Sequence, residues 1–268
     1  MAGRSQVDAR ALVALARDVA VEAAELVASR RRAEVTVADT KSSSVDVVTE
    51  ADRAAEDLIH RRLLEARPGD GFVGEEGGGA ESATGVTWVV DPIDGTVNFL
   101  YDLPQYAVSI AARVGDAVVA GVVVDVAKGE CFTATRGGGA WCDGRRLAVR
   151  ALAAPGEQLV ATGFSYEREV RVAQSRAVAA MMPEVRDIRR LGSAALDLCW
   201  LGAGRSDAYV EEGLNDWDLA AGGLVAQEAG ARLEVYPGVG GKPCVVAAPF
   251  AAFDEFADLV RRAGFLRE

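Results

Sequence analysis

Two segments in the first quarter of the chain have the three- and four-residue spacing of apolar positions that is typical of amphipathic helices. In residues 7–32 the apolar positions are Leu12, Leu15, Val19, Ala23 and Leu26. A second helix is predicted from Thr49 until Pro68 stops it, because the sequence Thr-Glu-Ala-Asp is a typical helix start and proline cannot continue a helix. Asp52 is therefore placed in the first turn of this helix.

After residue 70 the pattern changes to short runs rich in apolar and β-branched residues. The predicted strands are 72–74, 87–90, 107–114, 117–126, 130–135 and 146–149. The turn signals that separate them contain glycine and lie at 115–116, 128–129, 137–139 and 143–144. This order predicts an antiparallel meander.

Beyond about residue 150, strand-like and helix-like segments alternate. Strands are predicted at 159–162, 185–188 and 207–210, with two more in 231–248. Helices are predicted at about 168–182, from Ser193, from Asp216 or Trp217, and from 252. The alternation indicates layered α and β elements. We therefore expect one catalytic unit over 1–268, in which an N-terminal α+β lobe of about 1–150 and a C-terminal α/β lobe of about 151–268 share an active site.

Charge and hydropathy remove several classes of partner. The formal net charge is −11, which disfavours a nucleic-acid partner held through its phosphates. The one basic cluster, residues 30–32, lies at the predicted end of the first helix, where cations complement the helix dipole. No apolar run is long enough to span a bilayer, and residues 1–8 lack the core of a signal peptide. These features predict a cytoplasmic protein without a membrane partner.

The scarcity of histidine restricts the chemistry. His60 is the only one, in the predicted second helix, and the four cysteines form no C-x-x-C pair. Ser-His-Asp hydrolases, phosphohistidine chemistry and histidine-rich zinc sites are therefore excluded. The remaining chemistry uses carboxylates, hydroxyls and metals that prefer oxygen.

Carboxylates occupy the ends of several predicted elements. Asp91 and Asp94 follow the apolar strand of "WVVDPIDGT", Glu75 follows another strand, and Asp52 and Asp218 begin helices. A polar turn is the structural alternative for Asp91 and Asp94. If the acids converge, two unit charges about 4 Å apart repel by about 4 kcal/mol at a dielectric of about 20. Mg²⁺, which prefers oxygen ligands, would relieve that repulsion.

A glycine and a threonine follow these acids directly. Gly95 lets backbone amides approach a ligand, and a helix that begins at Thr96 directs its first N–H groups at an anion. Together with the carboxylates, this segment predicts metal-assisted phosphoryl transfer to water. A second glycine-rich segment, residues 238–242, lacks the spacing of a phosphate loop and is followed by Pro243.

Four blocks of sequence resemble the inositol monophosphatase family. They are "KSSSVDVVTEAD" at 41–52, "FVGEEG" at 72–77, "WVVDPIDGTVNF" at 88–99 and "WDLAAGGLVAQEAGA" at 217–231. The resemblance extends over nearly the whole chain and implies a layered α/β/α/β/α sandwich of the inositol monophosphatase/fructose-1,6-bisphosphatase type. Departures are mild: Ser44 stands where proline is common, and Ala231 replaces a frequent glycine.

The resemblance also implies roles for individual residues. The metal ligands, for up to three Mg²⁺ ions that Mn²⁺ can replace, would be Glu75, Asp91, the carbonyl of Ile93, Asp94 and Asp218. Glu75 and Thr96, with Asp52 supporting Thr96, would position and activate the attacking water. Gly95 and Thr96 would contact the phosphate of the substrate through their amides, and Gly192, Ser193, Ala194 and Glu211 would line the pocket for its sugar alcohol. Asp94 and Asp218 would also contact the substrate. Lys41 would support the metal-bearing loop.

The expected reaction is Mg²⁺-dependent hydrolysis of inositol monophosphate by metal-activated water, without a covalent intermediate. The family also implies lithium sensitivity and a homodimer. Fructose 1,6-bisphosphate, histidinol phosphate and adenosine 3',5'-bisphosphate remain alternative substrates. A regulatory or scaffold protein that retains the fold is the non-enzymatic alternative. An aspartyl-phosphate phosphatase is disfavoured, because its motif is D-x-D-G-T whereas residues 91–96 read D-x-x-D-G-T.

Overall fold

The computed structural model describes residues 8–32, 37–40, 47–77, 79–151 and 153–267. The α-helices of these residues are α1 (Ala9–Arg32), α2 (Glu50–Ala66), α3 (Thr96–Leu100), α4 (Arg168–Met181), α5 (Ala194–Gly202), α6 (Asp216–Glu228) and α7 (Phe253–Ala263). Short 3-10 turns lie at Pro155–Glu157, Met182–Glu184 and Phe250–Ala252. Among the helices described, none has the length and apolar character needed to cross a bilayer.

The strands form a two-stranded ribbon and two larger sheets. In the N-terminal half they are β1 (Val37–Thr40), β2 (Val47–Thr49), β3 (Gly71–Gly74), β4 (Gly79–Ala80), β5 (Val86–Asp94), β6 (Ala107–Val114), β7 (Ala117–Asp125), β8 (Glu130–Thr135), β9 (Gly139–Cys142) and β10 (Arg145–Arg146). In the C-terminal half they are β11 (Leu159–Thr162), β12 (Asp187–Arg189), β13 (Ala208–Glu212), β14 (Ala231–Pro237) and β15 (Pro243–Pro249).

The larger sheet has the strand order β10-β9-β8-β7-β6-β5-β3-β4. Strands β5 to β10 are consecutive antiparallel neighbours, so the predicted meander is confirmed for them. It is wrong for β3, which pairs in parallel with β5. The reason is β4, which takes the outer edge of β3, so that the chain returns to add β5 on the opposite edge.

The end of the meander also differs from the prediction. A strand was expected at 146–149, but β10 pairs with β9 over two residues only. The Val149 amide then donates to the Ala229 carbonyl at 3.0 Å, so the chain leaves the sheet edge and crosses to the end of α6. Strand β9 begins at Gly139, which sequence patterning had assigned to a turn.

The smaller sheet is mixed, with the order β12-β11-β13-β15-β14. Strands β12 and β13 flank β11 in parallel, while β15 runs antiparallel to both of its neighbours. The two large sheets draw their strands from opposite sides of residue 150, as the proposed two lobes require. That both lobes work as one catalytic unit stays a prediction.

Helices cover both sheets in five layers. The outer face of the larger sheet packs on α1 and α2 through a buried cluster that includes Leu12, Val27, Ile59, Trp88 and Ile110. The outer face of the smaller sheet packs on α4 and α7 through Met181, Val246, Phe253, Phe256 and Val260. With α5 and α6 between the sheets, this is the α/β/α/β/α sandwich that the resemblance implied.

The middle layer is apolar on both faces. Leu196 and Leu224 pack towards the larger sheet, and Leu198 and Ala226 pack towards the smaller one. Gly222 lets α6 approach α5 closely, because a Cβ there would lie 2.7 Å from the Ala195 carbonyl oxygen. This close packing fixes the first turn of α6, which carries Asp218.

Candidate metal centre and active site

A cavity of about 350 Å³ lies where the ends of β3, β5 and β13 meet the starts of α3, α5 and α6. The predicted site residues that line it are Glu75, Asp91, Ile93, Asp94, Gly95, Thr96, Gly192, Ala194, Glu211 and Asp218. Asp52 and Ser193 do not line it but hold residues that do. Lys41 lies outside the described residues. The predicted convergence of the separated acids is therefore found in the structure.

Three carboxylates form the centre of the cluster. Asp91, Asp94 and Asp218 each place a carboxylate oxygen within 4.8 Å of the other two. Burial, followed by the charges of Glu75, Asp94 and Asp218, raises the pKa of Asp91 well above its usual value. Burial likewise raises the pKa of Asp94 to about 6, and that of Asp218 well above its usual value. Carboxylates held this closely ionise together only with a cation between them, and oxygen donors suit Mg²⁺.

A bulge in β5 brings the first two acids to one side. Residues three apart on a regular strand point to opposite faces of the sheet. Against β6, however, Asp91 pairs with Ser109 and Asp94 pairs with Ala107, so β5 contains one extra residue. The Ile93 amide donates to Asp91 Oδ1 at 3.0 Å and closes this bend. Asp91 and Asp94 can therefore share one ligand.

Asp94 also joins the end of β5 to the start of α5, the helix that lies between the two sheets. Its Oδ2 accepts hydrogen bonds from the Ser193 hydroxyl at 2.5 Å and from the Ala195 amide at 2.7 Å. Ser193 caps α5 and is buried. These bonds hold the Asp94 carboxylate in place, so Ser193 positions a metal-site residue while its neighbours Gly192 and Ala194 line the cavity.

The turn that carries Glu75 is held by a residue that sequence reasoning missed. Glu56 of α2 is buried, and its Oε2 accepts a hydrogen bond from the Glu76 amide at 2.8 Å. A Cβ at Gly74 would lie 2.3 Å from that oxygen, so the strand end approaches α2 without a side chain between them. A signal was available, because Glu56 lies four residues after Asp52 on the same helix face.

Asp52 supports Thr96 through a hydrogen-bond chain. The Thr49 amide donates to Asp52 Oδ2 at 2.9 Å, in the capping box that begins α2. The Thr96 hydroxyl lies 3.0 Å from Asp52 Oδ1 and 3.0 Å from the Ile93 carbonyl oxygen. Burial raises the pKa of Asp52 to about 6, although its bonds from Thr49 and Thr96 oppose the shift. Asp52 is therefore an acceptor fixed behind the Thr96 hydroxyl.

Gly95 adopts a backbone conformation that side chains rarely adopt, with φ of 96°, and its virtual Cβ would lie 2.8 Å from the Gln105 carbonyl oxygen. We expect Gly95→Ala to lower the free energy of unfolding by about 1 to 3 kcal/mol more than Gly85→Ala does. Gly85 is the control, because its φ is 85° but nothing lies within 4 Å of its Cβ position. Urea unfolding measures the free energy of unfolding of both variants. Equal losses in the two variants would show that the close approach at Gly95 does not contribute to the effect of the substitution.

Glu211 stands on the cavity wall at the end of β13. The Tyr209 hydroxyl donates to its Oε2 at 2.7 Å. Burial raises the pKa of Glu211 to about 7, while the bond from Tyr209 and the charge of Arg190 act in the opposite direction. Its carboxylate oxygens can accept hydrogen bonds from substrate hydroxyls.

The shifted pKa of Glu211 predicts a pH-dependent stability difference. Because its folded pKa is raised above the unfolded value of 4.5, its stabilising contribution is fully present below that value and is lost as pH rises through about 7. We therefore compare the free energy of unfolding of the wild type with that of Glu211→Gln. We expect the wild-type value minus the variant value to fall by on the order of 2 kcal/mol from pH 4.5 to 8. Urea unfolding in EDTA measures it, with exposed Glu255→Gln as control. A difference that stays constant with pH would contradict the assignment.

Four charged residues that sequence reasoning did not select also line the cavity: Glu167, Arg190, Glu212 and Lys242. Lys242 belongs to the glycine-rich segment 238–242, which joins β14 to β15 and precedes no helix. Its rejection as a phosphate loop therefore agrees with the structure, but the segment still contributes to the cavity. Pattern analysis had no signal for this, because the hairpin reaches the site only through the fold.

The chain is similar to known proteins over most of its length. A family model described as "Inositol monophosphatase family" matches residues 8–250. The protein named inositol-1-monophosphatase SuhB of Mycobacterium tuberculosis (strain H37Rv) is 46% identical, with 94% of each chain covered. A solved structure of Mycobacterium tuberculosis SuhB has a TM-score of 0.84 at 41% identity, covering 98% of this chain and 100% of that one. The Nus factor SuhB of Escherichia coli (strain K12) is 37% identical, with coverage of 90% and 95%.

Proposed function

Because the chain belongs to the inositol monophosphatase family and is thus a phosphatase of phosphate monoesters, we propose that it hydrolyses inositol monophosphate in a Mg²⁺-dependent reaction. The observation that carries the proposal is the meeting of Asp91, Asp94 and Asp218 within 4.8 Å, in the cavity that Glu211 also lines. The first three are ligands for a cation, and Glu211 is an acceptor for the hydroxyls of a polyol.

The residues that would hold Mg²⁺ are Glu75, Asp91, the Ile93 carbonyl, Asp94 and Asp218. When bound, the cations would lower the pKa of water and neutralise charge on the phosphoryl and leaving-group oxygens. The fit rests on the donor set, because these groups offer oxygen, the ligand type that Mg²⁺ prefers. Burial and, after it, the charges of neighbouring carboxylates raise the pKa values of Asp91 and Asp218, and a cation would relieve that repulsion. Mn²⁺, which accepts similar oxygen ligands, is expected to substitute.

The remaining site residues orient water and phosphate. The Thr96 hydroxyl, held 3.0 Å from Asp52, can pass its proton towards that carboxylate and accept one from water. Glu75, which follows β3 at the same edge of the sheet because β3 runs parallel to β5, would orient the same water. The backbone amides of Gly95 and Thr96, at the first turn of α3, would donate to the phosphate. This arrangement needs no covalent intermediate.

The polyol end of the substrate would lie against Glu211, Gly192 and Ala194. Buried hydroxyl contacts of this kind discriminate strongly, because an analogue that lacks the hydroxyl leaves a buried acceptor unpaired. A covalent phospho-aspartate on Asp91 is disfavoured, because Asp91 lies buried among other carboxylates and its Oδ1 already accepts the Ile93 amide.

A binding role is the second candidate, favoured by two Escherichia coli relatives that are named Nus factor SuhB. A protein that only binds a partner does not need metal ligands, whereas in this chain Asp91, Asp94 and Asp218 lie together. We therefore place catalysis first. Homodimer formation, lithium sensitivity and a cytoplasmic location remain predictions from the resemblance and the composition.

Assays of the purified protein on four esters test the proposed function. Inositol 1-phosphate, fructose 1,6-bisphosphate, histidinol phosphate and adenosine 3',5'-bisphosphate are compared with Mg²⁺, with EDTA and with added lithium. We expect the highest kcat/KM for inositol 1-phosphate, no turnover in EDTA and inhibition by lithium. Full turnover in EDTA would refute the metal requirement, and a preference for another ester would refute the substrate.

A further inference from the structure

The rim of the cavity carries an ion pair that the proposed reaction does not use. Lys242 Nζ lies 2.6 Å from Glu167 Oε1, and both residues line the cavity. Glu167 belongs to the segment between β11 and α4, and Lys242 to the turn between β14 and β15. The pair thus joins two separate segments of the chain at one side of the cavity.

Buried partners fix the backbone on both sides of this pair. The Glu212 carboxylate accepts hydrogen bonds from the amides of Gly240 and Lys242, each at 3.0 Å. Gln174 accepts the Ser165 amide at 2.9 Å and donates to the Glu212 carbonyl at 3.3 Å. Glu212 and Gln174 are only 2% and 1% exposed. One connected network therefore holds the two segments in register.

The charges around the cavity are unequal. Among the described residues that line it, the cations are Arg190 and Lys242, and carboxylates outnumber them. Burial raises the pKa values of Asp94 and Glu211, and the charge of Arg190 opposes that rise. Lys242 is paired with Glu167 instead, so the lysine side of the rim offers no net positive charge.

The pair is open to exchange with a ligand. The side chains of Lys242 and Glu167 are 40% and 56% exposed, and exposed ion pairs contribute little stability. A phosphate dianion that reached Lys242 would have to displace the Glu167 carboxylate or lie beside it. Neutral polyol hydroxyls would not be subject to this competition.

We propose that the Glu167–Lys242 pair is a specificity determinant that favours esters with one phosphate over bisphosphates. The Glu167 carboxylate pairs with the ammonium group of Lys242, to which a second phosphate would otherwise bind. The negative charge of Glu167 also repels that phosphate. This proposal rests on the proposed function, since it concerns how the same cavity selects its substrate.

The test compares kcat/KM for fructose 1,6-bisphosphate with kcat/KM for inositol 1-phosphate, both with Mg²⁺. In Glu167→Gln we expect the ratio of bisphosphate to monophosphate to rise about fivefold, the factor that corresponds to about 1 kcal/mol for one exposed ion pair. The change should come from KM for the bisphosphate rather than from kcat. Glu169→Gln is the matched control, because it removes the same charge from an exposed residue outside the cavity lining and should leave the ratio unchanged.

A double variant, Glu167→Gln with Lys242→Met, identifies the group that binds the second phosphate. We expect it to lose most of the gain. A ratio in Glu167→Gln within twofold of the wild type, the same rise in Glu169→Gln, or a gain that persists in the double variant would overturn the proposal.

Failure of the proposed function gives a different result. If the wild type hydrolyses neither ester, that function is refuted, and calorimetric titration of fructose 1,6-bisphosphate into the same proteins tests the rim alone. Tighter binding to Glu167→Gln than to wild type and Glu169→Gln supports the proposal, and equal binding contradicts it.

Discussion

Asp91→Asn is expected to lower kcat for inositol 1-phosphate by at least about 10³-fold, while its free energy of unfolding without metal stays equal or rises. The loss follows because an amide removes one negative ligand from the proposed metal centre, whose charge stabilises the reacting phosphoryl group. The gain in stability follows because Asp91 is buried within 4.8 Å of two other carboxylates. Asparagine keeps the shape and can still accept the Ile93 amide.

A buried aspartate outside the cavity lining provides the control for Asp91. Asp70 is 2% exposed and accepts hydrogen bonds from Trp88 Nε1 at 3.1 Å and from Thr84. Because it pairs with Arg67 rather than with other acids, Asp70→Asn should lower stability and leave kcat within about threefold of the wild type. Steady-state kinetics and urea unfolding in EDTA measure both variants. If Asp91→Asn kept turnover, or lost stability as Asp70→Asn does, the assignment of Asp91 would be wrong.

Thr96→Val is expected to lower kcat by at least about 10²-fold with little change in KM. The variant keeps the volume but removes the hydroxyl that lies 3.0 Å from Asp52, so the proposed route for the proton of water is cut. Asp52→Asn should also lower kcat, and the double variant should be no slower than the slower single variant, because both residues act in one chain.

The control for Thr96 is Thr162 on β11, whose buried hydroxyl donates to the Val210 carbonyl at 2.7 Å. Thr162→Val should cost about 1 kcal/mol of stability and leave kcat within about twofold of the wild type. Rate constants from initial velocities and midpoints from urea unfolding separate the two effects. Additive losses in the Thr96→Val, Asp52→Asn double variant would mean that the residues act independently.

Local sequence signals located most of the candidate centre. The change from an apolar run to "DPIDGT" marked a strand end, and the capping pattern around Asp52 marked a helix start. Each signal depends on neighbours within a few residues, so it could be interpreted without the fold. The resemblance, and the need for a cation among several carboxylates, predicted that these ends meet at one site. In the structure, Glu75, Asp91, Asp94 and Asp218 line one cavity.

The structural features that the sequence did not reveal depend on contacts between residues that are distant in the chain. The bulge that turns Asp91 and Asp94 to one side exists only against the register of β6. The parallel pairing of β3 follows from the short edge strand β4. Ser193 was predicted to face substrate, yet its hydroxyl bonds to Asp94, which is distant in sequence. Lys242 reaches the rim because Glu212 holds its hairpin there.

The central claim is that Asp91, Asp94 and Asp218 gather to hold divalent cations. Anomalous diffraction from a crystal grown in Mn²⁺ tests it most directly. We expect anomalous density between the three carboxylates, with oxygens of each at bonding distance, and none there in a crystal of Asp91→Asn. Well-ordered carboxylates with no anomalous density between them, in protein that is active in the same Mn²⁺ buffer, would contradict the claim.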